Sequence, residues 1–64
     1  MIESQNREVL RHLKQGRTIT PLEALRMFGC LRLGARIYEL RELGYKVRSR
    51  MVVRNGKRVA EYSI

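Results

Sequence analysis

The sequence predicts an α+β fold in which three helices are followed by a C-terminal β-hairpin. Two local signals carry this prediction. The run from Thr20 to Gly44 has the spacing of two short helices joined by a tight turn at Gly29. Further along, Asn55-Gly56 lies between stretches of β-prone sequence and favours a two-residue type I′ hairpin turn. A chain of 64 residues is expected to form one domain, residues 1–64, with a small core.

The first helix is predicted from Ser4 to Gln15. Ser4 is suited to cap the free amides at its start, and Gly16 fits the left-handed position just past its end. An apolar stripe at helical spacing forms the inner face and extends towards the N-terminus near Ile2 and Asn6: Val9, Leu10 and Leu13. The link that follows, residues 17–19, is compatible with a short strand.

The second helix has the clearest boundaries in the sequence. In Thr20-Pro21-Leu22-Glu23, the Thr20 hydroxyl is placed to accept from the Glu23 amide, and the Glu23 carboxylate is placed to accept from the Thr20 amide. Pro21 suits the first helical position and Gly29 suits the end of the helix. The buried face is predicted to consist of Ala24, Leu25 and Phe28.

The third helix is predicted to begin near Leu31 or Arg32 and to end at Leu43, with Gly44 as its stop. Aliphatic residues recur at i, i+4 and i+7 and should face the other helices: Leu33, Ile37 and Leu40. This register points Arg32, Ala35, Glu39 and Glu42 outward and leaves Arg36 and Arg41 beside the apolar stripe. A competing register turns Ala35 and Tyr38 inward, but it buries one large aliphatic side chain instead of three.

Gly34 is unusual in the interior of a helix, where glycine costs about 1 kcal/mol relative to alanine. It would allow close approach either to the second helix or to a phosphate backbone. Packing against the second helix is the preferred interpretation.

The hairpin register follows from a turn centred on Asn55-Gly56, and it continues as far as a pair between Val47 and Ile64. One face then collects the apolar side chains that are predicted to cover the helices: Val47, Met51, Val53, Ala60, Tyr62 and Ile64. The other face carries Arg48, Arg50, Arg54 and Lys57. Arg50 stands opposite Glu61, and a cross-strand ion pair is expected there.

The net charge is the strongest indication of function. Fourteen Lys and Arg residues stand against six Asp and Glu residues, which gives +8 at pH 7. Such a surface attracts polyanions, of which nucleic acid and an anionic membrane are the main candidates. The first helix has a narrow apolar face without Trp or Phe, no apolar run is long enough to span a bilayer, and no signal peptide is visible. Nucleic acid is therefore the expected partner, and no membrane is expected.

Catalysis, metal binding and cofactor binding are not expected. The sequence has no paired carboxylates in an apolar setting, no nucleophile with a neighbouring base and no phosphate-binding glycine loop. One His and one Cys do not make a zinc site, and no small-molecule ligand is expected. The lone Cys30 cannot form an internal disulfide, which favours a reducing cytoplasm and a role as a small apolar filler at the turn.

The order helix, short strand, helix, helix, hairpin is specific to the winged helix-turn-helix among small folds. Three stretches over residues 4 to 64 resemble the small helix-turn-helix domains of bacteriophages and prophages: Ile-Thr-Pro-Leu-Glu-Ala-Leu-Arg (19–26), Arg-Ile-Tyr-Glu-Leu-Arg (36–41) and Asn-Gly-Lys-Arg (55–58). The resemblance implies a winged-helix DNA-binding protein of phage or bacterial source. A transcription regulator and a recombination accessory factor both fit it.

Candidate contacts to double-stranded DNA fall in three places. Arg32 and Arg36 lie in the N-terminal half of the third helix, where recognition helices meet base edges, and Ala35 between them leaves room for a thymine methyl. Six basic residues without an acid occupy residues 46–58 and are placed to meet phosphates or the minor groove: Lys46, Arg48, Arg50, Arg54, Lys57 and Arg58. Thr20, at the start of the second helix, is a further candidate for a phosphate contact. Glu39 is expected to pair with Arg36 rather than with a cytosine.

Other partners remain open. Winged helices also bind proteins, and Val52 with Val59 on the outer face of the hairpin would offer an apolar contact to an acidic host protein or to a second copy. A homodimer or tandem binding would also help DNA specificity, because one copy covers only a few base pairs. RNA is less expected, since most of the four aromatic side chains are expected to be buried: Phe28, Tyr38, Tyr45 and Tyr62.

Overall fold

The computed structural model describes residues 2–64, with side chains from residue 4 onwards. Three helices are followed by an antiparallel two-stranded hairpin: α1 (Ile2–Lys14), α2 (Pro21–Phe28), α3 (Leu33–Glu42), β1 (Arg48–Arg54) and β2 (Lys57–Ser63). The predicted α+β fold class is confirmed. Within residues 2–64, no helix combines the length and the apolar character that crossing a membrane requires.

The core lies between the three helices and the base of the hairpin. Every helix contributes to it, together with the link before α2, the turn after α2 and the residue before β1. The buried apolar side chains are Val9, Leu13, Ile19, Ala24, Cys30, Leu33, Ile37, Leu40 and Val47. Cys30 is a free thiol at the turn and is 1% exposed, so it fills the core as predicted.

α1 begins earlier than predicted. The helix already includes Ile2, so Ser4 lies inside it and does not cap it. A serine favours a helix start, but it does not prevent the helix from extending further towards the N-terminus. Gly16 follows the helix with a φ of 81°, as predicted, and Val9 and Leu13 are fully buried. The predicted contribution of Ile2 to the apolar stripe lies outside the described side chains.

The capping box at the start of α2 is confirmed. Thr20 Oγ1 accepts a hydrogen bond from the Glu23 amide at 3.3 Å, and Glu23 Oε1 accepts one from the Thr20 amide at 2.9 Å. Pro21 is the first helical residue, and Gly29 ends the helix in the left-handed conformation with a φ of 64°. Both ends of α2 are those that the sequence predicts.

Replacement of the capping residue should destabilise the fold. Thr20→Ala is expected to lower the free energy of unfolding by about 1 kcal/mol, because the Glu23 amide loses its hydrogen-bond acceptor. Ser49→Ala, on the exposed part of β1, is the matched control and should change it by less than about 0.5 kcal/mol. Urea denaturation followed by circular dichroism measures both variants. A Thr20→Ala protein as stable as the control would show that the cap contributes nothing.

The prediction that Leu25 belongs to the buried face of α2 is wrong. Ala24 is fully buried and Phe28 is half-buried, whereas Leu25 keeps 42% of its surface exposed. Ala24 and Phe28 stand four residues apart and share a face, where the Phe28 ring meets the His12 ring edge-on with centroids 5.9 Å apart. Because each residue turns a helix by about 100°, Leu25 lies to one side of Ala24, at the edge of the buried face.

The predicted register of α3 is confirmed by three side chains that are at most 2% exposed: Leu33, Ile37 and Leu40. The helix starts after Arg32, which has a non-helical backbone with φ −129° and ψ 65°, and it ends at Glu42, just before the predicted Leu43. The Arg41 guanidinium donates twice to the Val47 carbonyl, from Nε at 3.1 Å and from Nη2 at 2.9 Å. These bonds fasten the end of α3 to the chain that enters β1.

The hairpin turn has the predicted geometry. Asn55 and Gly56 have φ values of 54° and 74°, as a type I′ turn requires. The strands pair in the predicted register from the turn as far as Arg48–Ser63, one pair before the predicted end. We refer to residues 48–63, the two strands and their turn, as the wing.

The base of the wing is joined to the link before α2. The Ile19 amide donates to the Tyr62 carbonyl at 3.0 Å, and the Tyr62 amide donates to the Ile19 carbonyl at 2.8 Å. The predicted strand at residues 17–19 is thus a single antiparallel bridge. It fixes the wing against the helices close to the core.

The predicted apolar face of the hairpin is wrong at the outer residues of the wing and at Ile64. Met51, Val53 and Ile64, which were expected to cover the helices, are 57%, 65% and 48% exposed. Val52 and Val59, which were expected to be an exposed pair, are half-buried on the opposite face. Only the base of the wing joins the core. Alternation in the outer part therefore does not reveal which face meets the helices.

Candidate nucleic-acid interface

Opposite its buried stripe, the first two turns of α3 present an exposed face with one charged side chain, and the exposed Glu42 follows on the same side at the end of the helix. We call it the α3 face, and it consists of Arg32, Gly34, Ala35 and Tyr38. Arg32 and Gly34 are exposed, Ala35 is half-buried, and Tyr38 is 63% exposed. Gly34, Ala35 and Tyr38 lie on one side of the helix by their spacing, and Arg32 immediately precedes it. The outward positions predicted for Arg32 and Ala35 are consistent with this face.

Tyr38 is the member of this face to which the sequence assigned no role. The favoured register of α3 predicts that Tyr38 points outward. Tyr38 is nevertheless one of the four aromatic residues of which most were expected to be buried, and that expectation disfavoured RNA as a partner. In the structure its side chain is exposed. An exposed aromatic side chain in the middle of a helix can offer its ring edge and its hydroxyl to a ligand. The favoured register of α3 was the feature of the sequence that indicated an exposed Tyr38.

Arg36 does not lie where a base-reading side chain would. It is only 8% exposed, and Nη1 donates to Gln5 Oε1 of α1 at 3.3 Å. Its Nε lies 2.8 Å from Glu39 Oε1, an ionic contact that is not aligned as a hydrogen bond. The expected pair with Glu39 is confirmed. The sequence predicted Arg36 as a base contact beside the apolar stripe, whereas its long side chain is buried and held by Gln5 of α1 and by Glu39.

Gly34 is not explained by packing against α2. A Cβ atom built at this position would meet no other atom within 4 Å, so the backbone of α3 has open space beside it. The preferred interpretation from the sequence is therefore wrong. The remaining one is that the missing side chain leaves room for a ligand backbone on the α3 face.

The wing carries cations that are not engaged with carboxylates. Arg48, Lys57 and Arg58 are exposed, and none of them takes part in the ion pairs formed by the described side chains. Lys57 and Arg58 directly follow the turn. Charges with this exposure keep their full ability to neutralise a phosphate.

Two other wing arginines share one buried carboxylate. Glu61 is 5% exposed, and its Oε1 accepts from Arg50 Nε at 3.2 Å, as predicted for this cross-strand pair. Its Oε2 accepts from Arg54 Nη2 at 2.9 Å and from the Thr18 hydroxyl at 3.2 Å. We call these four residues the Glu61 cluster. The sequence did not predict that Arg54 belongs to it.

A cleft lies between the start of α2 and the tip of the wing. Arg26, Arg54 and Lys57 bring positive charge to its lining, whose full set is Thr20, Leu22, Glu23, Arg26, Arg54, Asn55, Lys57 and Val59. Thr20 is 4% exposed and its hydroxyl is occupied by the capping bond, so this side chain does not offer the predicted phosphate contact. The Glu23 carboxylate also occupies the helix start, where a phosphate would otherwise bind.

The comparisons with known proteins agree with the architecture. The family model described as a winged helix-turn-helix domain matches residues 4–64 of the chain. No curated protein and no solved structure matches it. The match extends over all three helices and the wing, in the order found in the structure, and the family suggests DNA as the ligand. The chain belongs to the winged helix-turn-helix domain family.

Proposed function

We propose that this protein binds double-stranded DNA, with the α3 face in the major groove and the wing on the backbone or in the adjacent minor groove. The observation that carries the proposal is the division of α3 into two sides. Its aliphatic side chains are buried against the other helices, while Arg32, Gly34 and Tyr38 are left uncovered. In winged helix-turn-helix proteins the exposed side of such a helix reads base edges.

The proposed base contacts differ from those expected from the sequence. Arg32, at the start of α3, can make a bidentate pair with guanine, and Ala35 can touch a thymine methyl. Tyr38 replaces Arg36 as the third contact, because Arg36 is held against α1. Binding at these positions would select sequence, whereas the wing cations would supply affinity for any duplex.

The biological role that we propose is binding to sites in phage or prophage DNA in the cytoplasm, either as a transcription regulator or as a recombination accessory factor. The resemblance to phage helix-turn-helix domains supports this role. A second copy or tandem binding would extend the few base pairs that one α3 face can read. Nothing in this proposal requires catalysis, a metal or a cofactor.

A protein partner is the second candidate function, and one observation favours it. Met51 and Val53 expose apolar surface side by side on the outer face of the wing, next to a strongly basic tip. Such a surface suits an acidic protein with an apolar contact point. Fluorescence anisotropy with a labelled random duplex and an unlabelled single strand of the same length separates the candidates. Tighter binding to the duplex than to the single strand supports the DNA function. Absence of binding to both the duplex and the single strand supports a protein partner.

The contribution of Tyr38 to sequence recognition is testable with one substitution. A preferred site is first selected from a pool of random duplexes. Tyr38→Ala should then lose about 1–3 kcal/mol of affinity for that site, because it removes a base contact, and much less for random duplex. Arg7→Ala on the exposed side of α1 is the control and should leave the preference unchanged. Equal losses on both DNAs would exclude Tyr38 from base recognition.

A further inference from the structure

We infer that Glu61 withholds Arg50 and Arg54 from nucleic-acid phosphates and thereby limits the affinity of this protein for arbitrary sequence. The inference rests on the proposed DNA-binding function. It makes Glu61 a residue that sets backbone affinity through two arginines and does not itself touch DNA.

The carboxylate is held firmly in place. Glu61 sits in β2 with only 5% of its side chain exposed, and the Thr18 hydroxyl donates to Oε2 from the link before α2. The neighbouring residue in β2, Tyr62, is bonded to Ile19 of the same link. Glu61 is thus anchored at the junction of wing and helices, and it cannot swing away when a phosphate approaches.

The two arginines, in contrast, are largely in solvent. Arg50 is 77% exposed and Arg54 is 53% exposed, so both can be reached by a polyanion while they remain bonded to Glu61. Arg54 is the more constrained of the two, because Nη2 donates to Glu61 and Nη1 donates to the Val53 carbonyl at 3.2 Å. A carboxylate and a phosphate offer the same charged oxygen acceptors to a guanidinium, so they compete for it.

The charges in the Glu61 cluster limit how strongly the wing can bind the DNA backbone. Two positive charges meet one negative charge in the Glu61 cluster, so the cluster presents about one net positive charge to DNA instead of two. The charges of Lys57 and Arg58 at the wing tip are not offset by a carboxylate among the described side chains. Backbone contacts determine affinity for arbitrary sequence, whereas base contacts on the α3 face are unaffected. Glu61 therefore lowers the affinity for any duplex, and the choice of sequence is left to the α3 face.

The test compares Glu61→Gln with Glu23→Gln on a random duplex over a range of salt concentrations. Both variants lose one negative charge, and Glu23 lines the same cleft as Arg54, but among the described side chains it forms no ion pair with an arginine. Glutamine retains the shape of both side chains and can still serve in a capping box. Glu61→Gln should bind random duplex roughly eightfold more tightly at 0.1 M salt, with a salt slope steeper by about 0.9, as one further phosphate contact implies. Glu23→Gln should change both quantities much less.

A second comparison isolates the two arginines. In a background that carries Arg50→Gln and Arg54→Gln, the further change Glu61→Gln should have no larger effect than Glu23→Gln. Equal tightening by Glu61→Gln with and without the arginines would overturn the inference, since the effect would then come from net charge alone. Arg54→Gln should also flatten the salt slope of the otherwise unchanged protein less than Lys57→Gln does. Equal flattening would overturn the inference even if Glu61→Gln failed to fold.

Elution from immobilised heparin distinguishes failure of this inference from failure of the DNA function. Heparin is a sulfated polyanion without base edges or a groove, so it reports only on available cations. If Glu61→Gln elutes at higher salt than Glu23→Gln while no variant binds duplex, then Glu61 does withhold the two arginines, and the proposed DNA function is wrong. If duplex binding is strong but the two variants elute together, the DNA function holds and the inference fails.

Discussion

Ile37→Ala is expected to unfold most of the protein near 37 °C. Ile37 is 1% exposed and lies at the centre of the buried stripe of α3. Removing three buried carbon atoms and leaving a cavity costs about 2–5 kcal/mol in cores of this kind. A core in a chain this short rarely supplies more than about 3–5 kcal/mol in total. The substitution should therefore remove most of the net stability, which thermal and urea denaturation followed by circular dichroism would measure.

The neighbouring residue on the same helix supplies the control. Tyr38→Ala removes a larger side chain, but Tyr38 is 63% exposed, so the free energy of unfolding should change by less than about 0.5 kcal/mol. The comparison distinguishes the two registers of α3 that the sequence allowed. A large loss at Tyr38 together with a small one at Ile37 would mean that the helix packs through its other face.

Loss of the two cations after the wing turn should have the largest effect on DNA binding. The double change Lys57→Gln and Arg58→Gln is expected to weaken binding to any duplex roughly 50-fold at 0.1 M salt and to flatten the salt slope by about 1.8. The reason is that neither side chain is engaged with a carboxylate among the described residues. Neither substitution touches the turn residues, Asn55 and Gly56, so the hairpin should remain intact.

A second double variant controls for net charge. Arg7→Gln with Arg11→Gln removes the same two charges from the exposed side of α1, away from the wing. It should flatten the salt slope by much less than the wing variant. If the two double variants weaken binding equally, affinity reflects overall charge, and the wing has no special place in the interface.

Local chemistry made several elements of this fold predictable. A capping box satisfies amides within four residues, so Thr20 and Glu23 determine the start of α2 without help from the rest of the chain. A type I′ turn fixes strand register in the same local way, and Asn55-Gly56 therefore predicted the pairing of β1 with β2. The buried side of α3 was predictable because one register buried three aliphatic residues and the other buried one.

The predictions were wrong where contacts between distant parts of the chain determine the position of a side chain. Met51 and Val53 alternate correctly, but the wing extends beyond the core, so these two side chains are exposed. The position of Arg36 depends on Gln5 of α1, which lies 31 residues away in sequence. Long arginine side chains can cover apolar surface or reach a ligand, and the spacing along α3 does not distinguish the two. For the same reason the sequence paired Glu61 with Arg50 but missed Arg54.

The most direct test of DNA binding is the affinity of the unmodified protein for a random duplex, measured by fluorescence anisotropy between about 50 and 200 mM salt. An unlabelled acidic protein serves as competitor. We expect the logarithm of the association constant to fall linearly with the logarithm of salt, with a slope of about −2.7 or steeper, because the three wing cations proposed to meet phosphates form no ion pair among the described side chains. The acidic protein should not displace the duplex. Absence of duplex binding at 50 mM salt would contradict the account and would make the basic wing a surface for docking proteins.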